Sequence, residues 1–98
     1  MGQAYTLLIA DDEFFILERL KRLLAQAQTD FTLLSACANG RDAMEKIETL
    51  QPDLAILDIK MPFLTGLEIA EQIKSRGLPT RVILLTSFDL FDFAQQAV

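Results

Sequence analysis

The sequence predicts a single α/β domain built on a parallel sheet with helices on both faces. Three observations lead there. Short apolar runs of strand length alternate with amphipathic stretches of helix length, in the order βαβαβαβα. One run, Leu54-Ala55-Ile56-Leu57, is apolar throughout, as suits a central strand buried on both faces. The 98 residues are 51% hydrophobic at a mean hydropathy of +0.27, which supplies a core for one domain and excludes intrinsic disorder.

Taken in order, Tyr5-Thr6-Leu7-Leu8-Ile9-Ala10 reads as a buried strand. A helix follows from about Glu13 to Gln28, with Ile16, Leu20, Leu23, Leu24 and Ala27 on one stripe. Its other face carries Glu18, Arg19, Arg22 and Gln26, with Glu18 and Arg22 spaced to pair at i,i+4. Thr32–Ala38 is a second short strand, and Asn39-Gly40 is a turn. The next helix carries the pair Asp42 and Lys46, buries Ala43, Met44, Ile47 and Leu50, and ends before Pro52. After Leu54–Leu57 and Asp58, a loop from Ile59 to Thr65 leads into a helix from Gly66 to about Arg76. Gly77 stops that helix and Pro79 prevents its continuation. Arg81–Leu85 is a fourth strand, and a last helix runs from Asp89 towards Val98. Right-handed crossovers between parallel strands then put helices on both faces of the sheet.

Charge and composition exclude several classes of function. Nine Lys and Arg against fourteen Asp and Glu leave a net charge of −5 and an isoelectric point near 4.5. Such a surface repels phosphate backbones, so this domain is not expected to bind nucleic acid itself. A lone Cys37 rules out an intrachain disulfide and a cysteine zinc site. The absence of histidine rules out Ser-His-Asp and Cys-His catalysis and histidine-ligated metals. Apolar runs such as Phe14–Leu17 and Val82–Leu85 fall far short of the roughly 18 residues a membrane span needs. The N-terminus lacks the basic and apolar regions of a secretory signal, so the expected location is the cytoplasm. Chemistry is left to carboxylates, hydroxyls and amines.

In open parallel sheets, ligands bind beyond the carboxyl ends of the strands. Asp11, Asp12 and Glu13 follow the first strand, where helix capping explains them as well as function does. Asp58 follows the third strand, where no helix starts and the preceding residues are apolar, so its carboxylate is costly unless compensated. Thr86 and Ser87 follow the fourth. If these strands are neighbours at about 4.8 Å, the acids and Thr86 converge at one edge. Carboxylates about 4 Å apart repel by roughly 4 kcal/mol at an effective dielectric near 20, so a proton or a cation must sit among them. An all-oxygen donor set favours a hard divalent ion such as Mg²⁺.

Three stretches then carry a family likeness: Leu7–Glu13 (LLIADDE), Pro52–Glu68 (PDLAILDIKMPFLTGLE) and Val82–Ser87 (VILLTS). Paired acids, an Asp-x-x-Met-Pro-x-x-x-Gly run and a strand-end Thr resemble the receiver domain of a two-component response regulator. Ser87–Val98 (SFDLFDFAQQAV) is also similar to receivers joined to AraC-type helix-turn-helix output domains.

The resemblance implies a flavodoxin-like sheet of strand order 2-1-3-4. It implies that Asp58 accepts a phosphoryl group from the phosphohistidine of a sensor histidine kinase. Asp11 and Asp12 would hold Mg²⁺ together with Asp58 and the backbone carbonyl of Lys60. Thr86 would donate its hydroxyl to a phosphoryl oxygen and report the modification to the next loop. Such a domain is a signalling module rather than an enzyme, catalysing at most its own phosphorylation and dephosphorylation. Its output, in a longer protein, would be DNA binding and transcriptional control, and the family admits homodimers. The family's fifth strand, ending in Lys-Pro, and its fifth helix have no counterpart here: Lys21, Lys46, Lys60 and Lys74 all stand elsewhere. Residues 1–98 are therefore expected to form a C-terminally incomplete receiver, prone to self-association through its fourth strand.

Two side chains flank this expected site. Phe15 lies on the polar face of the first helix, suited to docking, and Phe88 is placed to shield a phosphoryl group. Competing readings fit less well. A dehalogenase-type phosphatase needs an acid two residues after the nucleophile, where Lys60 stands. A nucleotide binder wants a Gly- or Ser/Thr-rich loop where Asp11-Asp12-Glu13 would repel phosphate. A pseudo-receiver acting only as an interaction module usually loses the acids kept here.

Overall fold

The centre of the sheet is formed by β1 (Tyr5–Ala10) and β3 (Leu54–Asp58), the two most deeply buried strands. In this computed structural model, which describes residues 4–27 and 30–85, they are flanked by β2 (Phe31–Cys37) and β4 (Arg81–Leu85). All pairings are parallel and the order is β2-β1-β3-β4. Three helices connect them: α1 (Phe14–Gln26), α2 (Gly40–Leu50) and α3 (Gly66–Ser75).

Alternation along the strands sorts the core into two layers. Leu8, Ala10, Ala55 and Leu57 face α2 and α3, meeting Ala43, Met44, Ile47, Ile69 and Ile73. Leu7 and Ile9 face α1, meeting Leu17 with Leu20 and Leu24 beside it. Truncating a fully buried side chain such as Ile47 to Ala costs about 2–5 kcal/mol, so these layers hold the sheet in register, and its parallel strands put the acids that follow β1 and β3 at one edge. The opposite edge is tied by polar contacts. Asp53 accepts from the Thr6 amide at 2.8 Å, and the buried Thr80 hydroxyl donates to the Pro52 carbonyl at 2.6 Å.

The structure adjusts several expectations. β2 spans Phe31–Cys37 rather than Thr32–Ala38, its first residue pairing with Tyr5 through backbone register and ring contact. α1 closes at Ala27, which takes an extended conformation, and its N-cap is Glu13 with no side-chain hydrogen bond. Leu23 is 55% exposed, because it sits about 60° around the helix beyond Leu20 while Leu17 takes the buried position. Leu50, on the last turn of α2, is also exposed. Glu18 pairs with Lys21 at 2.8 Å, and Asp42 is engaged by Asn39 at the start of α2. Gly77 does adopt a left-handed conformation, with φ 64°. The helix expected from Asp89 lies outside the described residues. Among those described, no helix is long and apolar enough to cross a membrane.

Candidate functional site

The site lies at the carboxyl edge of the sheet, where β1 and β3 end side by side with Ala10 opposite Leu57. The apolar strands deliver Asp11 and Asp58 to this edge already desolvated, at 1% and 6% exposure. Asp12 projects outward and is exposed. Asp11, Asp12 and Asp58 each offer a carboxylate oxygen within 4.8 Å of the others. Hydrogen bonds fix the arrangement. The Asp11 amide donates to the Cys37 carbonyl at 3.0 Å, and its Oδ1 accepts from the Glu13 amide at 2.8 Å. Asp11 thus turns the chain into α1, while Asp12 is left outside the cap. The Ile59 amide donates to the Leu85 carbonyl at 3.2 Å, and the main chain of Lys60 hydrogen-bonds the Asp58 carboxylate.

Electrostatics follow from the geometry. Burial, and then the neighbouring Asp11 charge, push the Asp58 carboxyl up to about 6. Burial likewise raises Asp11, against the main-chain hydrogen bond from Glu13 that lowers it, and the Asp12 charge adds to the rise. Burial and mutual repulsion thus make the charged pocket costly, a cost that a bound cation would offset. The donors fit Mg²⁺ in kind: all are oxygens within 4.8 Å of one another, and Asp12 is exposed to admit water.

The loop after Asp58 is built to pass close to the strand end. Gly66 donates its amide to the Ile59 carbonyl at 2.9 Å, and a Cβ there would collide with the Asp58 carbonyl. Thr65 and Glu68 form a reciprocal capping box that starts α3 at that point, with bonds of 3.0 and 3.1 Å. The structure therefore brings together Asp11, Asp12 and Asp58, with Lys60 beside them in the loop. Thr86, Ser87 and Phe88 lie outside the described residues; Leu85, which precedes Thr86, is paired with Asp58. Phe15 is 84% exposed, as its place on the polar face predicts, and its ring meets Phe14 edge-on.

Sequence reasoning missed Gly40, Arg41 and Phe63. Asn39-Gly40 is more than a turn: Asn39 caps α2 by accepting from Asp42, and the Gly40 amide donates to the Pro62 carbonyl at 3.0 Å. A Cβ on Gly40 would overlap the Leu64 carbonyl. Phe63 has φ 74°, and the Arg41 guanidinium lies 4.2 Å from its ring centre. An Asn-Gly pair before a helix signals the cap, but nothing local links residue 40 to residue 64.

Residues 7–98 match the response regulator receiver domain family. The chain is 42% identical over 84 residues to a positive alginate biosynthesis regulatory protein of Pseudomonas aeruginosa, covering 86% of this chain but 34% of that protein. The chain thus spans about a third of that relative's length. A DNA-binding response regulator of the LuxR family from Staphylococcus aureus superposes with TM-score 0.79 at 38% identity, covering 84% of this chain and 68% of that one. The CheX-CheY-BeF3-Mg²⁺ complex from Borrelia burgdorferi gives TM-score 0.74 at 26% identity, covering 84% of this chain and 61% of that chain.

Proposed function

The chain belongs to the response regulator receiver family, and from that premise we propose that Asp58 is the side chain it offers for phosphorylation. One observation carries this reading: Asp58 is buried at the end of β3 with Asp11 and Asp12 within 4.8 Å. A carboxylate held so close to two others needs a counter-ion for its charge, and it stands at the carboxyl edge of the sheet beside the exposed Asp12.

In the proposed reaction an Asp58 carboxylate oxygen attacks phosphorus in line with the leaving nitrogen of a phosphohistidine on a sensor histidine kinase. The O–P bond forms, the N–P bond breaks, and the departing imidazole takes up a proton. Asp11, Asp12, Asp58 and the Lys60 carbonyl would hold Mg²⁺, which when bound offsets the charge of the nucleophile and the phosphoryl oxygens. The main-chain hydrogen bond from Lys60 orients the Asp58 carboxylate, and Asp11 is itself oriented by the Glu13 amide. Orientation of this kind, rather than acid–base chemistry, is what the protein supplies. Thr86, one residue past the partner of Asp58 in β4, is proposed to donate its hydroxyl to a phosphoryl oxygen and pass the change into the following loop. The response is proposed to reach a DNA-binding output in a longer protein, by analogy with the regulators that match this chain over part of their length. The domain acts as a cytoplasmic signalling module in this reading.

Incubation with acetyl phosphate tests it. With Mg²⁺ the intact mass should rise by one phosphoryl group, and Asp58→Asn should abolish the rise. A wild-type chain that stays unmodified, or a variant modified as readily, would refute it.

A further inference from the structure

We propose that Arg41, at the start of α2, is a positioning residue for the loop after Asp58, and through that loop sets how tightly the acidic pocket holds a divalent cation. The inference rests on the reading of that pocket given above.

Phe63 sits at the centre of a three-residue turn closed by the Leu64 amide on the Pro62 carbonyl at 2.9 Å. With φ 74° the turn has the rare, strained hand, which a bulky side chain adopts only when its surroundings hold it. Burial does not hold it, since Phe63 is 66% exposed. Two contacts from α2 do. The Gly40 amide adds a second hydrogen bond to the Pro62 carbonyl, and the Arg41 guanidinium stacks over the Phe63 ring at 4.2 Å. The other end of the loop is anchored by Ile59, bonded to both Leu85 and Gly66, and Met61 is buried in the core. Lys60 lies between these anchors, and its main chain hydrogen-bonds the Asp58 carboxylate. Release of the turn therefore loosens the segment carrying the proposed Lys60 carbonyl ligand.

Simple electrostatics predicts the opposite sign. Removing a cation from the neighbourhood of an acidic pocket should tighten cation binding. Positioning predicts that it weakens. The two are separated by measuring Mn²⁺ affinity, from the paramagnetic resonance signal of free Mn²⁺, on the full chain and its variants. Arg41→Ala should bind Mn²⁺ roughly two- to fivefold more weakly, the range an exposed cation–π contact supports. Arg41→Lys should recover part of the loss. In a Phe63→Gly background, where glycine adopts positive φ without help, Arg41→Ala should change nothing further. Melting in EDTA reports the purely structural contribution, which a change in Mn²⁺ affinity would not track. Unchanged or tighter Mn²⁺ binding by Arg41→Ala, or the same loss in both backgrounds, overturns the inference alone. A wild-type chain that binds no Mn²⁺ overturns it together with the acidic-pocket reading.

Discussion

The Asp58 carbonyl occupies the space that a Cβ on Gly66 would need. The site and the start of α3 are thereby packed against each other at backbone level, with the Gly66 amide on the Ile59 carbonyl completing the turn. Gly66→Ala must push the end of β3 or the first turn of α3 aside. Forced overpacking of this kind costs about 1–3 kcal/mol, so the urea midpoint should fall without a change in slope. An unchanged midpoint would mean that the loop has slack the geometry does not reveal.

Folding gathers Asp11, Asp12 and Asp58, whereas unfolding disperses them. Mg²⁺ should therefore bind the native state selectively, adding about 2.7 kcal/mol at a hundredfold excess over its dissociation constant. Thermal melts with and without the ion measure the gain, and Asp12→Ala should remove most of it. A melting temperature indifferent to Mg²⁺ would count against the pocket as a cation site.

Without metal, the sign of the pH dependence follows from Asp58. Its folded carboxyl, pushed up to about 6 from 3.8 by burial and then by Asp11, binds its proton more tightly than the unfolded chain does. Across that window the native state holds more protons, so stability falls as pH rises. The contribution is fully present below the unfolded value and lost once pH passes the folded one. The raised Asp11 acts in the same sense. Asp58→Asn should accordingly be more stable than wild type at neutral pH in EDTA, and lose that advantage in acid. Equal unfolding midpoints at neutral pH would show that the crowding of charge costs nothing.

Much of this was legible in the sequence because it is local. Leu54–Leu57 announces a strand buried on both faces, and Arg81–Leu85 is found with the bounds expected. Asp58 stands out because it ends an apolar run with no helix to cap. Asp11 and Asp12 are adjacent in the chain, yet only the fold separates a buried carboxyl from an exposed one. What stayed hidden depends on distant partners. The choice of Leu17 over Leu23 is made by how α1 lies on β1, not by spacing alone. The link from Gly40 to Pro62 and the stack of Arg41 on Phe63 join segments about twenty residues apart, with no periodicity to betray them.

The central claim is that Asp58 is the phosphoacceptor, and locating the modification tests it most directly. After reaction with acetyl phosphate and Mg²⁺, borohydride reduces an aspartyl phosphate to homoserine, which peptide mass mapping assigns to a position. The expected result is homoserine at position 58, formed only with both reagents present and absent from Asp58→Asn. Homoserine at Asp11 or Asp12, or none at any position in a folded and Mg²⁺-binding chain, would contradict it.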